Sequence, residues 1–189
     1  SRRIEQSQTY EETLVAAQDE IRTIIGYKNV WAYRLSSDKK YAYAIVASGS
    51  AANMVMSNEY SATLTISGDP MLEAIANAKE IVIVEDAQTD PNVNREIVEK
   101  MRNHTIVNVP IILFDRNLGS ISMGTFGDEG VLVPSKSEQE FLIAMASHMA
   151  VAFDRIRLLT EIKKSESLLS DETKKLENLN KVLEQEKVK

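Results

Sequence analysis

The stretch TIVNVPIILFDRNLGSISMGTF, residues 105–126, decides how the chain folds. Thr105 to Phe114 and Leu118 to Phe126 have the continuous or period-two apolar character of strands, and the polar triplet Asp115-Arg116-Asn117 between them has turn composition, so the stretch predicts a hairpin. Outward from it, Ile81 to Val84, Tyr60 to Ile66, Tyr41 to Ser48 and Val30 to Leu35 read as strands, the last two joined across Ser36-Ser37-Asp38-Lys39-Lys40. That makes six strands. Two short helices interrupt them, each announced by an Asp-Pro pair: Asp69 as N-cap with Pro70 at the first helical position, and Asp90 with Pro91. Long amphipathic helices bracket the set. The first carries Ile4, Leu14, Ile21 and Ile25 and is closed by Gly26; the last starts at the capping box Ser135-x-x-Glu138 and carries Phe141, Leu142, Met145, Met149, Ala152, Phe153, Ile156 and Leu159. The order predicts an α+β domain with an antiparallel sheet covered by helices.

With 189 residues, 43% hydrophobic and 26% charged, the chain has room for one domain and an appendage. It has no cysteine, which excludes disulfides, thiolate metal sites, thiol catalysis and sulfur-linked chromophores. A formal charge of -6 argues against nucleic acid as a partner, and no apolar run is long enough to cross a bilayer, so neither nucleic acid nor membrane is expected for this segment. After residue 160 the composition changes: aromatic residues, glycine and proline vanish, and Ile162, Leu169, Leu176 and Leu183 recur every seven residues with Leu179 and Glu186 at the companion position. This predicts a coiled-coil helix. The body seam Met149, Ala152, Ile156, Leu159 meets it after three residues where the repeat requires four, which predicts a phase slip near Leu159. The chain opens at Ser1 without Met and stops inside a charged helical pattern, so it is expected to be a segment whose neighbours carry the catalysis.

Within the body, no glycine-rich loop has the lysine and context of a phosphate cradle, and two histidines, His104 and His148, do not make a metal site. The acidic run Glu85 to Asp90 is explained by capping and loop-holding as readily as by acid/base work. Alternation places Trp31 with Tyr33 on one face of their strand and Tyr41 with Tyr43 on one face of the next, with Ala42 and Ala44 opposite. Either core packing or a ligand cup accounts for such aromatics. A cup would lie between Tyr41, Tyr43 and Ile45 and a roof spanning Asp86 to His104, and would suit a small anionic or amphipathic molecule.

From about Thr13 to Leu159 the chain resembles a GAF domain. The resemblance is carried by Gly68-Asp69-Pro70, Ile81-Val82-Ile83-Val84-Glu85-Asp86 with Asp90-Pro91, Val109-Pro110-Ile111, Leu118-Gly119-Ser120-Ile121, and Glu140-Phe141-Leu142 with Ala150-Val151-Ala152-Phe153. It implies a six-stranded antiparallel sheet with long terminal helices on one face and short helices and loops over a pocket on the other. It implies a linker helix at 1–12, a sensory domain at 13–160 and a coiled-coil helix at 161–189 leading to an output domain such as a histidine kinase, in the manner of two-component systems, or a cyclase. The function expected is non-catalytic and cytoplasmic: binding a small molecule and relaying its state through a homodimer formed by the terminal helices. The alternative is a ligand-free structural dimeriser. The ligand-binding set expected is Trp31, Tyr33, Tyr41, Tyr43, Ile45, Asp86, Asp90, Met101 and His104, with no catalytic or metal-binding residue. The cofactor stays unknown. Bilin attachment in the family needs a cysteine, the residue set of cyclic-nucleotide binders is missing, and the position of the axial histidine of haem-binding members, nine residues before Val109, is Lys100.

Overall fold

The computed structural model describes residues 2–48 and 63–187. Its elements are helices α1 (Arg2–Gln6) and α2 (Tyr10–Ile24), strands β1 (Asn29–Leu35), β2 (Tyr41–Ser48) and β3 (Thr63–Thr65), helix α3 (Pro70–Asn77), strand β4 (Val82–Val84), helix α4 (Arg95–Met101), strands β5 (Asn103–Leu113) and β6 (Arg116–Phe126), a 3-10 turn at Gly127–Glu129, and helix α5 (Lys136–Lys187). Among the described residues the six strands form one antiparallel sheet in the order β3-β2-β1-β6-β5-β4, as expected for this α+β class. The first part of the expected strand Tyr60 to Ile66 lies outside the described residues. The chain divides into two units, Ser1–Phe153 and Asp154–Lys189.

In the first unit, one sheet face carries Val30, Ala32, Ile45, Val107, Val109, Ile111, Ile121 and Met123, packed against Leu14, Ala17 and Ile21 of α2 and Leu142, Met145, Met149 and Phe153 of α5. Ile4 of α1 is fully buried in this same core. The other face carries Trp31, Tyr33, Leu35, Ala42 and Phe126 beneath Leu72, Ile75 and Ala76 of α3. Farther along, Val98 of α4 covers Ile106 of β5. The terminal-helix face and this roof face are the two layers on the sheet.

Local chemistry sets the helix ends. Asp69 accepts from the backbone N–H groups of Met71 and Leu72 at 3.0 Å with Pro70 beginning α3, as expected. Asp90 does not cap α4. Its carboxylate turns to the N–H of Asn92 at 2.8 Å, and Asn94 is the cap, accepting from Ile97 N. A short Asx turn thus separates the Asp-Pro pair from the helix. Gly26 follows α2 with a φ of 96°, its N–H reaching Ile21 O at 3.1 Å, the left-handed closure foreseen for it. Ser135 and Glu138 close their capping box, the carboxylate accepting from Ser135 N at 2.7 Å.

The β5–β6 connection is tighter than expected. Leu113 pairs with Arg116, so only Phe114 and Asp115 turn the chain, both with positive φ (47° and 62°), as a two-residue hairpin with the twist of its strands requires. Asn117 belongs to β6 and is freed for work on the roof, described below.

Tyr27 ties the start of β1 to the segment leading into α5: its buried hydroxyl donates to Leu132 O at 2.5 Å. Burial, with a smaller contribution from the negative charge of Glu138, pushes its pKa far above that of a free tyrosine. The folded state therefore resists ionisation that the unfolded chain accepts from about pH 10, so stability present below that pH is lost above it, by roughly 1.4 kcal/mol per pH unit for one proton. Urea unfolding at a series of pH values from 9 to about 11.5 should show this alkaline loss reduced in Tyr27→Phe; an identical slope in the two proteins would remove the assignment.

Along α5 some apolar positions are buried and others exposed. Met149 and Ala152 are buried in the core of the first unit, whereas Val151 and Leu158 are exposed. Counted along the sequence, Ala144, Val151 and Leu158 step by seven, and Ile162 follows Leu158 by four. These outward positions fall at the companion position of the repeat of Ile162, Leu169, Leu176 and Leu183, whereas Met149 and Ala152, read above as the body seam, are taken up by the core. In the second unit Ile162, Leu169, Leu176, Leu179 and Leu183 are all exposed. Arg157 binds Asp154 and Glu161 on its own helix, at 2.8 and 2.9 Å.

Candidate functional site

The roof face of the central strands carries buried polar side chains that sequence reasoning did not single out. Asn108 of β5 and Ser120 and Ser122 of β6 are 6%, 1% and 0% exposed. Ser122 pairs with Asn108 across β5–β6 and with Trp31 across β1–β6, and Ser120 pairs with Tyr33. The Ser122 hydroxyl donates to Asn108 Oδ1 at 2.6 Å, and the Ser120 hydroxyl, 3.1 Å from Ser122 Oγ, donates to it in turn because the Ser122 proton is already committed. The result is an uncharged ladder at the centre of the sheet. Asn103 stands opposite Phe126 at the end of the same face, and Phe126 lies 6.0 Å from the Trp31 ring. Asn103 is 4% exposed and its Oδ1 has no hydrogen-bond partner. Buried polar groups cost stability unless paired, so this oxygen is an open acceptor.

The roof is held from below. Asn117 Nδ2 donates to Ile75 O at 2.9 Å and Ala78 O at 3.1 Å, satisfying carbonyls at the end of α3, while its Oδ1 accepts from Gly119 N at 2.9 Å. The loop before α4 is stitched to β5: Ala87 N donates to His104 O, Gln88 Nε2 to Asn103 O, Thr105 Oγ1 to Glu85 O, and the Arg95 guanidinium to the carbonyls of Gln88 and Asp90.

The sequence-derived set divides on this frame. Trp31, Tyr33 and Met101 come together on the roof side with Phe126 and the α3 side chains. Tyr43 and Ile45 lie on the terminal-helix face instead: Ile45 is in the main core, and the Tyr43 ring carries the Arg34 guanidinium 4.4 Å from its centre, with the Tyr10 ring of α2 5.2 Å from the same group. Tyr41 shares their side of β2 by alternation and is exposed. The expected phase of β2 is thus inverted, because Ala42 opposes Leu35 and Tyr43 opposes Arg34. The small alanine does receive a helix, but it is α3. Asp86 and His104 meet, Oδ1 to Nδ1 at 3.3 Å, and Asp86 also accepts from Gln88 N, so this pair fastens the loop to β5. Asp90 belongs to its Asx turn. His148 pairs with Glu5 of α1 at 3.4 Å. No group of three or more metal-ligating side chains occurs among the described residues. No described helix is long and apolar enough to cross a membrane.

Residues 7–154 match the GAF domain family model, and the chain belongs to that family, a regulatory and sensory small-molecule-binding fold of signalling proteins. No curated protein sequence matches it. Among solved structures it is similar to the GAF domain/HD domain protein from Geobacter sulfurreducens (15% identity over 82% of this chain and 99% of that one, TM-score 0.67). It is similar also to the GAF domain of a phosphoenolpyruvate-protein phosphotransferase from Coxiella burnetii (14%, 85% and 91%, TM-score 0.68). A third is the free methionine-R-sulfoxide reductase from Neisseria meningitidis, solved with its substrate (13%, 82% and 84%, TM-score 0.62). At these identities the likeness speaks for the fold alone.

Proposed function

We propose that this segment is a non-catalytic sensory module that takes a small molecule on the roof face of its sheet and passes the bound state, as a homodimer paired through its C-terminal helix, to an output domain such as a histidine kinase or a cyclase. The observation that carries the ligand reading is the ladder Asn108, Ser122, Ser120 beside Trp31 and Tyr33. A sheet that only needed packing would be more stable with Val or Ile at these positions, since buried hydroxyls and amides gain little net from bonding one another. The non-catalytic reading is supported by composition: the reductase members of the fold family need cysteines, and this chain has none. The exposed heptad of the second unit supports pairing with a second copy.

Native mass spectrometry of the full-length protein purified from its own host tests the ligand reading. The expected result is a bound small-molecule mass on the wild-type protein that is lost in Ser122→Val. A wild-type protein free of any adduct, with a Ser122→Val variant that is more stable and signals normally, would establish the structural dimeriser instead.

A further inference from the structure

Resting on the reading of the roof face as a ligand site, we infer that this site selects an uncharged, flat molecule bearing both a hydrogen-bond donor and an acceptor, of the aromatic-amide or heterocyclic-base class. The charge argument comes first. Among the described residues, the roof-face side chains that the site would use are Trp31, Tyr33, Asn103, Asn108, Ser120 and Ser122, and none is ionisable near neutral pH. From Tyr41 to Ala78, the stretch that supplies β2, β3 and α3, the sequence contains no Lys, Arg or His. The two arginines bordering α4 are turned to other work, Arg95 to the carbonyls of its own loop and Arg102 to Asp128 at 3.3 Å. Lys39 reaches the roof only at its edge, its Nζ 3.5 Å from Ala76 O at the end of α3, and Asp86 and His104 hold each other at 3.3 Å, so an ion at the ladder itself meets no charged side chain on the strands. Moving an ion of either sign from water to such a surface costs several kcal/mol that nothing on it offsets. Of the small anionic or amphipathic molecule expected from the sequence, this face favours the uncharged kind.

The polar groups supply the second half. Asn103 Oδ1 is a buried acceptor without a donor. Asn108 is the reverse case: its Oδ1 is occupied by Ser122, which leaves the Nδ2 donor side of the amide to face a ligand. The acceptor and the donor lie on the same face but four β6 positions apart, at Phe126 and Ser122, or about 13 Å, with the Trp31–Phe126 ring contact between them, so a flat molecule meets them at opposite ends. The tilted Trp31–Phe126 ring pair, with Tyr33 on the other side of Trp31, favours a flat, polarisable body.

Trp31 is the chain's one tryptophan, so its fluorescence reports on the site. Titration of the 189-residue chain with the near-isosteric series benzamide (neutral), benzoate (anionic) and benzamidine (cationic) separates the possibilities. Benzamide should change the emission saturably, and the two charged probes should need at least about tenfold higher concentration, the equivalent of 1.4 kcal/mol. Asn103→Leu should weaken benzamide by about tenfold, the loss of one hydrogen bond to a group that has no other partner. Benzoate or benzamidine binding as tightly as benzamide would overturn the class while leaving the ligand site standing. Silence of all three probes would overturn both. An Asn103→Leu protein that is more stable and binds benzamide unchanged would show the orphaned oxygen to be a packing defect and remove Asn103 from the site.

Discussion

Gly119→Ala should cost most of the domain's stability. Gly119 lies in β6 with a φ of 152°, paired with Arg34 across the two central strands, and a Cβ built on it would stand 1.9 Å from the carbonyl oxygen of Tyr33 and 2.9 Å from its carbonyl carbon. Those are backbone atoms of β1, which cannot swing aside as a side chain can. Relief requires β1 and β6 to separate where the order β2-β1-β6-β5 has its middle, breaking ladder bonds on which both layers rest. Strained backbone alone costs about 1–3 kcal/mol, and the clash adds to it, so a loss of roughly 3–5 kcal/mol is expected from a total that for domains of this size is about 5–15. Gly26→Ala is the control: it shares the positive φ but has open space around it, and should lose only about 1 kcal/mol. Urea unfolding of both variants decides the matter. If the two lose the same amount, the close approach of β1 and β6 is not what excludes a side chain at position 119.

How much of this was readable in advance follows from how local each signal is. Asp69-Pro70, Gly26 and Ser135 with Glu138 act on their own backbones within a few residues, and each does what its chemistry dictates. Asp90-Pro91 carries the same local signature as Asp69-Pro70, yet Asn94 competes for the cap and takes it, a contest that dipeptide chemistry does not decide. The phase of β2 failed for a different reason. Alternation groups Tyr41 with Tyr43, but which layer they meet depends on pairing with β1, where Arg34 between two tyrosine rings fixes the terminal-helix side. The ladder was missed because Ser120-Ile121-Ser122-Met123 reads as a strand with one wet face, the usual meaning of polar alternation. Its position at the centre of a sheet covered on both sides reverses that meaning. Asn108 in the apolar run of β5 was the available clue, since a polar residue in a doubly covered strand needs a partner or a purpose.

Inserting one alanine after Thr160 should weaken the proposed dimer. The prediction follows from the heptad count: Ala144, Val151 and Leu158 step by seven toward Ser165, Glu172 and Leu179, the companion positions of Ile162, Leu169, Leu176 and Leu183, while Met149 and Ala152, off that phase, are consumed by the domain's own core. An added residue turns everything after it by about 100°, so a partner helix can follow the positions before Thr160 or those after it but not both. Losing the burial of Val151 and Leu158 from the seam forfeits roughly 1.5–3 kcal/mol per side chain, which raises the dimer dissociation constant at least about tenfold. Insertion of a full seven residues at the same point preserves the phase and should leave the constant close to wild type. Sedimentation equilibrium measures both, and spin labels at Lys174 of each copy report whether the distal helices stay paired. A single-alanine protein that dimerises as well as or better than wild type would mean that the partner reads the Met149 and Ala152 phase after all. With one heptad phase kept on both sides of Thr160, the proposed dimer would carry a change at the proposed ligand site along its paired helices, which is the outcome the seven-residue insertion should preserve and the single alanine should abolish.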